Sequence, residues 1–151
     1  MKTYLSHSVA QTEAFADEFA KHLKAGDVIA FIGGLGAGKT AFVRGLAKGM
    51  GVSGEVNSPT FSLVHEYAGA VPLYHFDMYR ISDLDDLYST GFFDYLDTEA
   101  VLAIEWSENI LDALPEHTIY ISIVPTGEEE RRIEIFDSFE ELSQMKGGTN
   151  S

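Results

Sequence analysis

Residues 27–40 read Asp27-Val28-Ile29-Ala30-Phe31-Ile32-Gly33-Gly34-Leu35-Gly36-Ala37-Gly38-Lys39-Thr40. The first part is a short apolar run, which is typical of a strand buried on both faces. From Gly33 to Thr40 the sequence matches the pattern G-x-x-x-x-G-K-[ST]. A helical pattern follows from Lys39 to about Met50. A strand, this turn and a helix in that order predict the phosphate-binding unit of a P-loop NTPase.

The residue types of the turn suit a triphosphate. Small residues let the backbone curl until successive N–H groups point into one concavity, and the helix that begins at Lys39 adds the positive end of its dipole. The Lys39 ammonium can reach the β- and γ-phosphates, and the Thr40 hydroxyl can coordinate Mg²⁺. The simpler alternative is a glycine-rich turn followed by an ordinary surface lysine. No Asn/Thr-Lys-x-Asp sequence that would read guanine is present, so ATP is the preferred nucleotide.

Phosphate loops of this kind work with a carboxylate at the end of a neighbouring buried strand, which holds Mg²⁺ directly or through water. Two strand-like runs end in such a residue, Val101–Glu105 and Leu73–Asp77. The run before Glu105 is the more apolar, so we favour Glu105 as the metal residue over a strand-end carboxylate that only faces solvent. Asp77 could orient the attacking water or support the metal ligands.

Other positions near these motifs have two interpretations each. Trp106 follows Glu105 directly and is as consistent with core packing as with a place near the site or at a partner surface. The turn Ser58-Pro59-Thr60 could sense the γ-phosphate, as switch loops do, or simply begin a strand. Arg80 could offset charge on a transferring phosphoryl group or pair with an aspartate. His65 and His75 occur in strand patterns and are interpreted as packed residues.

The remaining elements give the fold class. Ser8 and Gln11 match a capping box that begins a helix from Val9 to about Lys24, and Gly26 suits its end. Further apolar runs predict four strands, at Phe61–Tyr67, Leu73–Asp77, Thr118–Val124 and Arg131–Phe136. Two short helices are predicted at Asp83–Leu87 and Phe92–Leu96. We expect a three-layer α/β/α P-loop NTPase with a mixed, partly parallel sheet and added antiparallel hairpins. Residues 1–145 would form one domain and 146–151 a flexible tail.

Composition narrows the class of protein. The chain has 151 residues, no cysteine and a net charge of -14, so disulfides, zinc-thiolate sites and thiol nucleophiles are excluded. An acidic surface repels phosphate backbones, and strong direct binding of nucleic acid is therefore not expected. The charge either keeps the protein soluble or docks it on a basic protein partner. Without a signal-like start or an apolar run long enough for a bilayer, we expect a cytoplasmic protein that makes no membrane contact.

Taken together, the motifs resemble those of the TsaE family, small bacterial ATPases of tRNA threonylcarbamoyladenosine biosynthesis. The phosphate loop is shared by many families. The more specific segments are Ser58-Pro59-Thr60-Phe61-Ser62-Leu63-Val64-His65-Glu66-Tyr67, His75-Phe76-Asp77-Met78-Tyr79-Arg80 and Ile104-Glu105-Trp106, and they occur in the family's order. One departure is Gly34, where the family commonly has Asp. Since the phosphate nest uses backbone groups there, nucleotide binding should persist.

The resemblance implies roles for individual residues. Thr40 and Glu105 would bind Mg²⁺, and the phosphates would be held by Gly36, Ala37, Gly38, Lys39 and Thr40. Thr12 would lie near the base or sugar of the nucleotide. Catalysis would involve Glu105, Asp77, Lys39 and Thr60, with Trp106 in a neighbouring segment beside the nucleotide.

The resemblance also implies partners. TsaD-like and TsaB-like proteins would transfer the threonylcarbamoyl group to tRNA, and this chain would use ATP binding and hydrolysis to reset them, with weak hydrolysis on its own. Two alternatives remain: a P-loop small-molecule kinase, and a module that senses nucleotide without hydrolysing it. A kinase would need several basic groups around the phosphoryl group. The chain offers four arginines, Arg44, Arg80, Arg131 and Arg132, and the last two belong to a predicted hairpin.

Overall fold

The structure, a computed structural model, describes residues 2–32, 38–57, 64–78, 81, 83–105 and 107–143. Its strands are β1 (Lys2–Ser6), β2 (Val28–Ile32), β3 (Ser53–Asn57), β4 (Val64–Ala68), β5 (Leu73–Asp77), β6 (Val101–Glu105), β7 (Ile119–Pro125) and β8 (Arg131–Phe136). Its helices are α1 (Val9–Ala20), α2 (Lys39–Met50), α3 (Leu84–Ser89) and α4 (Phe92–Leu96), with a 3₁₀ segment at Ser107–Ala113. None of the helices in these ranges is long and apolar enough to cross a membrane.

The strands of the described ranges form one mixed sheet in the order β1-β8-β7-β2-β6-β5-β4-β3. The four central strands β7, β2, β6 and β5 run parallel to one another. On either side the sheet continues antiparallel, through β4 and β3 at one end and β8 and β1 at the other. The predicted α/β class, the partly parallel sheet and the antiparallel hairpins, here β4–β5 and β7–β8, are confirmed. Residues 61–63 of the predicted strand Phe61–Tyr67 lie outside the described residues.

Every residue of β2 is buried, because the strand has helices on both sides. Ile29 and Phe31 pack on one face in a core that also contains Phe42 and Leu46 of α2. The opposite face carries Val28, which shares a second core with residues of α3, α4 and the 3₁₀ segment. Alternate side chains of a strand point to opposite faces, so this burial pattern defines the three layers.

Several boundaries differ from those predicted. β1 and β3 were not foreseen, because their sequences are polar or contain glycine and become strands by pairing with β8 and β4. α1 ends at Ala20 rather than near Lys24. Gly26, with φ of 93°, lies beyond the helix end and donates its N–H to the Ala100 carbonyl at 3.0 Å.

The start of α1 is capped nearly as predicted. The Ser8 hydroxyl accepts a hydrogen bond from the Gln11 N–H at 3.1 Å. The Gln11 side chain reaches back to the His7 N–H at 2.7 Å, rather than to the N–H of Ser8 as in the standard capping box. The motif therefore satisfies a backbone donor one residue earlier than expected.

The helix after the phosphate loop is held close to α1 by two glycines. A Cβ added to Gly45 would lie 2.4 Å from the Glu13 carbonyl oxygen and 2.5 Å from the Ala16 Cβ. At Gly49 it would lie 2.3 Å from the Asp17 carbonyl oxygen. All three distances are far below van der Waals contact, so α2 can pack this closely on the α1 backbone only where α2 carries no side chain.

We therefore expect Gly45→Ala to destabilise the protein by about 2 kcal/mol or more, because the added methyl group must push two helices apart. This outweighs the gain of about 1 kcal/mol that alanine brings to a helix interior. Urea unfolding followed by circular dichroism measures the difference. Lys48→Ala, an exposed position on the same helix, is the control and should change stability by less than about 0.5 kcal/mol. A Gly45→Ala protein as stable as the parent would contradict this packing.

Candidate functional site

The carboxyl ends of three parallel strands meet at one edge of the sheet. β2 ends at Ile32, six residues before Gly38, and β6 and β5 end beside it at Glu105 and Asp77. Asp77 and Glu105 are direct partners in the parallel register, and the Met78 N–H donates to the Glu105 carbonyl at 3.1 Å. Open α/β sheets bind their ligands at this edge. The topology thus brings both predicted carboxylates to the start of α2.

Gly38 is the residue before α2 and has φ of 96°. This left-handed conformation is one that glycine adopts without strain. Lys39 follows as the first helical residue, and only 3% of it is exposed although it carries a charge. Thr40, next along the first turn, is exposed. The start of α2 thus combines backbone N–H donors with an ammonium group shielded from water.

Glu105 is hydrogen bonded to a histidine that the sequence did not assign to the site. The Nε2 atom of His75 lies 2.7 Å from Oε2 of Glu105, and the two side chains are 14% and 18% exposed. On the adjacent strand β4, the ring of His65 lies 5.9 Å from that of His75. The interpretation of His75 as a packed residue was therefore incomplete: it is half-buried and bonded to the predicted metal residue.

The charge state of Glu105 follows from these neighbours. Burial by itself would raise the pKa of the carboxyl. The hydrogen bond from His75 and the charges of His75, Lys39 and His65 outweigh burial and bring the pKa of Glu105 below its usual value. At neutral pH the group is an ionised carboxylate, which can only accept hydrogen bonds, so the His75 Nε2 carries the proton.

A second cation borders the start of α2 from the other side. A Cβ on Gly38 would lie 3.7 Å from the Nε of Arg131 and 3.5 Å from Cγ2 of Ile123. Arg131 begins β8, and its Nη1 donates to the carbonyls of Glu130 at 2.8 Å and Gly127 at 3.2 Å. Its Nε is buried and finds no acceptor in the described part of the chain. The guanidinium is thus fixed by the β7–β8 turn and lies beside Gly38, the residue before α2.

Comparison with known proteins shows the family of the chain. The family model described as "Threonylcarbamoyl adenosine biosynthesis protein TsaE" matches residues 6–133, a range that includes Lys39, His75, Glu105 and Arg131. The chain belongs to the TsaE family. The "tRNA threonylcarbamoyladenosine biosynthesis protein TsaE" of Treponema pallidum is 37% identical over 131 residues, which are 87% of this chain and 97% of that protein.

A further TsaE relative and a solved structure agree with this assignment. The protein of the same name from Bacillus subtilis is 41% identical over 124 residues, covering 82% of this chain and 77% of that protein. The crystal structure of Bacillus subtilis YdiB superposes with a TM-score of 0.72 at 30% identity, covering 99% of this chain and 94% of that one. Sequence and fold therefore match along nearly the whole length.

The structure places only some of the residues that the TsaE resemblance implied. Lys39 is close enough for its charge to act on Glu105, Asp77 is the register partner of Glu105, and Thr40 follows Lys39 in the first turn of α2. Thr12 is 1% exposed, and its hydroxyl lies 2.7 Å from that of Ser6. Its predicted proximity to the nucleotide stays a prediction. Several others lie outside the described residues, and so does the predicted tail: Gly36, Ala37, Thr60, Trp106, Arg80 and 146–151.

The donor set of this TsaE chain fits Mg²⁺. Thr40 and Glu105 offer one hydroxyl and one ionised carboxylate, both oxygen donors. Within the described ranges, no three His, Cys, Asp or Glu side chains form a cluster that could hold a metal alone. Mg²⁺ commonly takes one or two protein oxygens and completes its octahedron with water and phosphate oxygens. The same oxygen donors suit Mn²⁺, whereas zinc and copper favour the nitrogen or sulfur ligands that such a cluster provides.

Proposed function

We propose that the chain is an Mg-dependent ATPase required for threonylcarbamoyladenosine modification of tRNA. One observation supports this most: Lys39 is shielded from water at the first turn of α2, and its charge acts on ionised Glu105 at the end of the adjacent parallel strand. A buried ammonium and a half-buried carboxylate at the carboxyl edge of a parallel sheet are the two charges that a metal–triphosphate complex needs. The family to which the chain belongs takes part in this modification.

In this proposal the phosphates bind between two cations. Lys39 neutralises the β- and γ-phosphates, and Arg131 of β8 lies beside Gly38 at the start of α2. When bound by Thr40 and Glu105, Mg²⁺ neutralises the charge that develops on the β- and γ-phosphate oxygens. Asp77, beside Glu105 in the register, accepts a proton from the attacking water. The water oxygen bonds to the γ-phosphorus, the bond to the bridging oxygen breaks, and ADP leaves with that electron pair.

We further propose that the hydrolysis drives turnover of a complex of TsaD-like and TsaB-like proteins. The net charge of -14 supports a role through protein partners rather than through direct contact with bare tRNA. The predicted result is slow hydrolysis by the chain alone and faster hydrolysis when both partners are present.

Reconstitution tests this role. The three proteins are mixed with tRNA and threonylcarbamoyl donor, and ADP release and modified tRNA are measured with ATP or a non-hydrolysable analogue. We expect several modified tRNAs per complex with ATP and about one with the analogue. Repeated turnover without this chain, or equally well with the analogue, would rule the coupling out. Phosphorylation of a small molecule by the isolated chain would instead indicate a kinase.

The two adjacent arginines of β8 provide a matched pair of variants. Arg131→Met should weaken ATP binding about tenfold, because loss of one charge-assisted contact costs about 1.4 kcal/mol. Arg132 is the next residue of β8, so its side chain points to the opposite face of the sheet from that of Arg131. Its Nε lies 3.6 Å from Oε1 of Glu134 and its side chain is 45% exposed, so Arg132→Met should leave the affinity unchanged. Titration with a fluorescent ATP analogue gives both dissociation constants. Equal effects of the two changes would show that Arg131 acts only through net charge.

A further inference from the structure

Two adjacent strands bring a histidine to the predicted metal carboxylate. In the register of β5 and β6, His75 is opposite Ala103, and Asp77 is opposite Glu105. Side chains two residues apart on a strand share a face, so Ala103 and Glu105 point to the same side as His75. The small side chain of Ala103 leaves room for the imidazole to lean forward along the strand, and Nε2 reaches Oε2 of Glu105 at 2.7 Å.

We propose that His75 is the positioning residue of the metal site: its Nε2–H holds Oε2 of Glu105, so that Oε1 is presented to Mg²⁺. This inference rests on the proposed function, since it concerns the metal that Glu105 would bind. A glutamate side chain has three rotatable torsions and loses entropy when it is fixed. A charge-assisted hydrogen bond at 2.7 Å is strong enough to select one rotamer before metal arrives.

The surroundings of His75 fit a role in positioning Glu105 better than a role in packing alone. His75 is in the middle of β5 and is only 14% exposed, a place where an apolar side chain would fill the same space without needing a partner. Its ring is flanked by His65 on one side, which limits how far it can turn away from Glu105. Residues that support metal ligands in this way typically change metal affinity 10–100-fold when they are replaced.

Two variants of similar size separate the hydrogen bond from the volume. His75→Gln keeps an N–H donor at about the reach of Nε2, whereas His75→Leu fills the space without a donor. Crystal structures of the metal-free variants should show Glu105 in its parent rotamer with Gln and in other rotamers with Leu. A Glu105 carboxylate that keeps its place in the Leu variant would overturn the proposal, whatever the metal does.

Mn²⁺ binding, followed by electron paramagnetic resonance on nucleotide-loaded protein, tests the link to the metal. We expect His75→Leu to weaken Mn²⁺ about 10–100-fold, His75→Gln to restore most of the affinity, and nucleotide affinity in EDTA to stay within about twofold. In a Glu105→Gln background, His75→Leu should add no further loss. A loss of nucleotide affinity that is equal with and without metal would show that His75 has only a structural role. A further loss of Mn²⁺ affinity when His75→Leu is added to Glu105→Gln would show the same.

The metal-free crystal structures and the Mn²⁺ measurements together also separate this inference from the proposed function. If the parent protein binds nucleotide without any contribution from Mn²⁺, the proposed metal-dependent ATPase fails and presentation of Oε1 to a metal fails with it. The metal-free structures then still decide whether His75 fixes Glu105. If the parent binds Mn²⁺ and both His75 variants match it, the ATPase proposal stands and the positioning role is refuted.

Discussion

Lys39→Met is expected to weaken ATP binding about 100-fold or more, which corresponds to about 2.7 kcal/mol. The physical reason is the burial of the ammonium group. Lys39 is 3% exposed, so its charge acts through protein rather than through water, and its attraction for a triphosphate is screened little. Methionine keeps most of the apolar stem and removes the charge. The loss should therefore come from the missing charge and not from a cavity.

Equilibrium titration with a fluorescent ATP analogue gives the dissociation constants. Thermal unfolding without nucleotide is the control for folding, and it should change little, because burying an ammonium costs desolvation energy that offsets its interactions. Lys48→Met changes the net charge equally at an exposed position near the other end of α2. An affinity for ATP that is the same in Lys39→Met and Lys48→Met would contradict a phosphate site at the start of α2.

Glu105→Gln is expected to slow ATP hydrolysis about 100-fold or more, a loss of the size seen when a group that stabilises transition-state charge is removed. Glutamine has the same shape, but it lacks the negative charge that would hold Mg²⁺. Nucleotide affinity measured in EDTA should stay within about threefold, because the phosphate loop and Lys39 do not depend on the carboxylate. Phosphate release under single-turnover conditions measures the rate.

The control for Glu105→Gln is Glu116→Gln, the same chemical change at an exposed residue. It should leave both binding and hydrolysis unchanged. Hydrolysis that survives in Glu105→Gln would indicate that the metal is held instead by Asp77, the partner of Glu105 in the register. A module that only senses nucleotide would hydrolyse no ATP before or after the change, so the same assay separates that alternative from an ATPase.

Local patterns were enough for the central unit of the fold. The apolar run, the glycine-rich turn and the helical period predicted β2 and α2, and the structure has them at Val28–Ile32 and Lys39–Met50. β5, β6, β8 and α4 have the predicted bounds as well. These elements were predictable because period and turn chemistry lie within a few residues of one another. For the same reason the sequence indicated Lys39, Thr40, Glu105 and Asp77, which belong to or end such elements.

Edge strands and site neighbours were not predictable in this way. β1 and β3 have weak strand sequences and exist because β8 and β4 pair with them. The sequence alone determined which strand and turn form the predicted phosphate-binding unit and which strand ends carry carboxylates. Only the tertiary structure decided that His75 meets Glu105 and that Arg131 faces Gly38. The reason is that strand register and sheet order, set by contacts between distant segments, determine which side chains of different strands become neighbours.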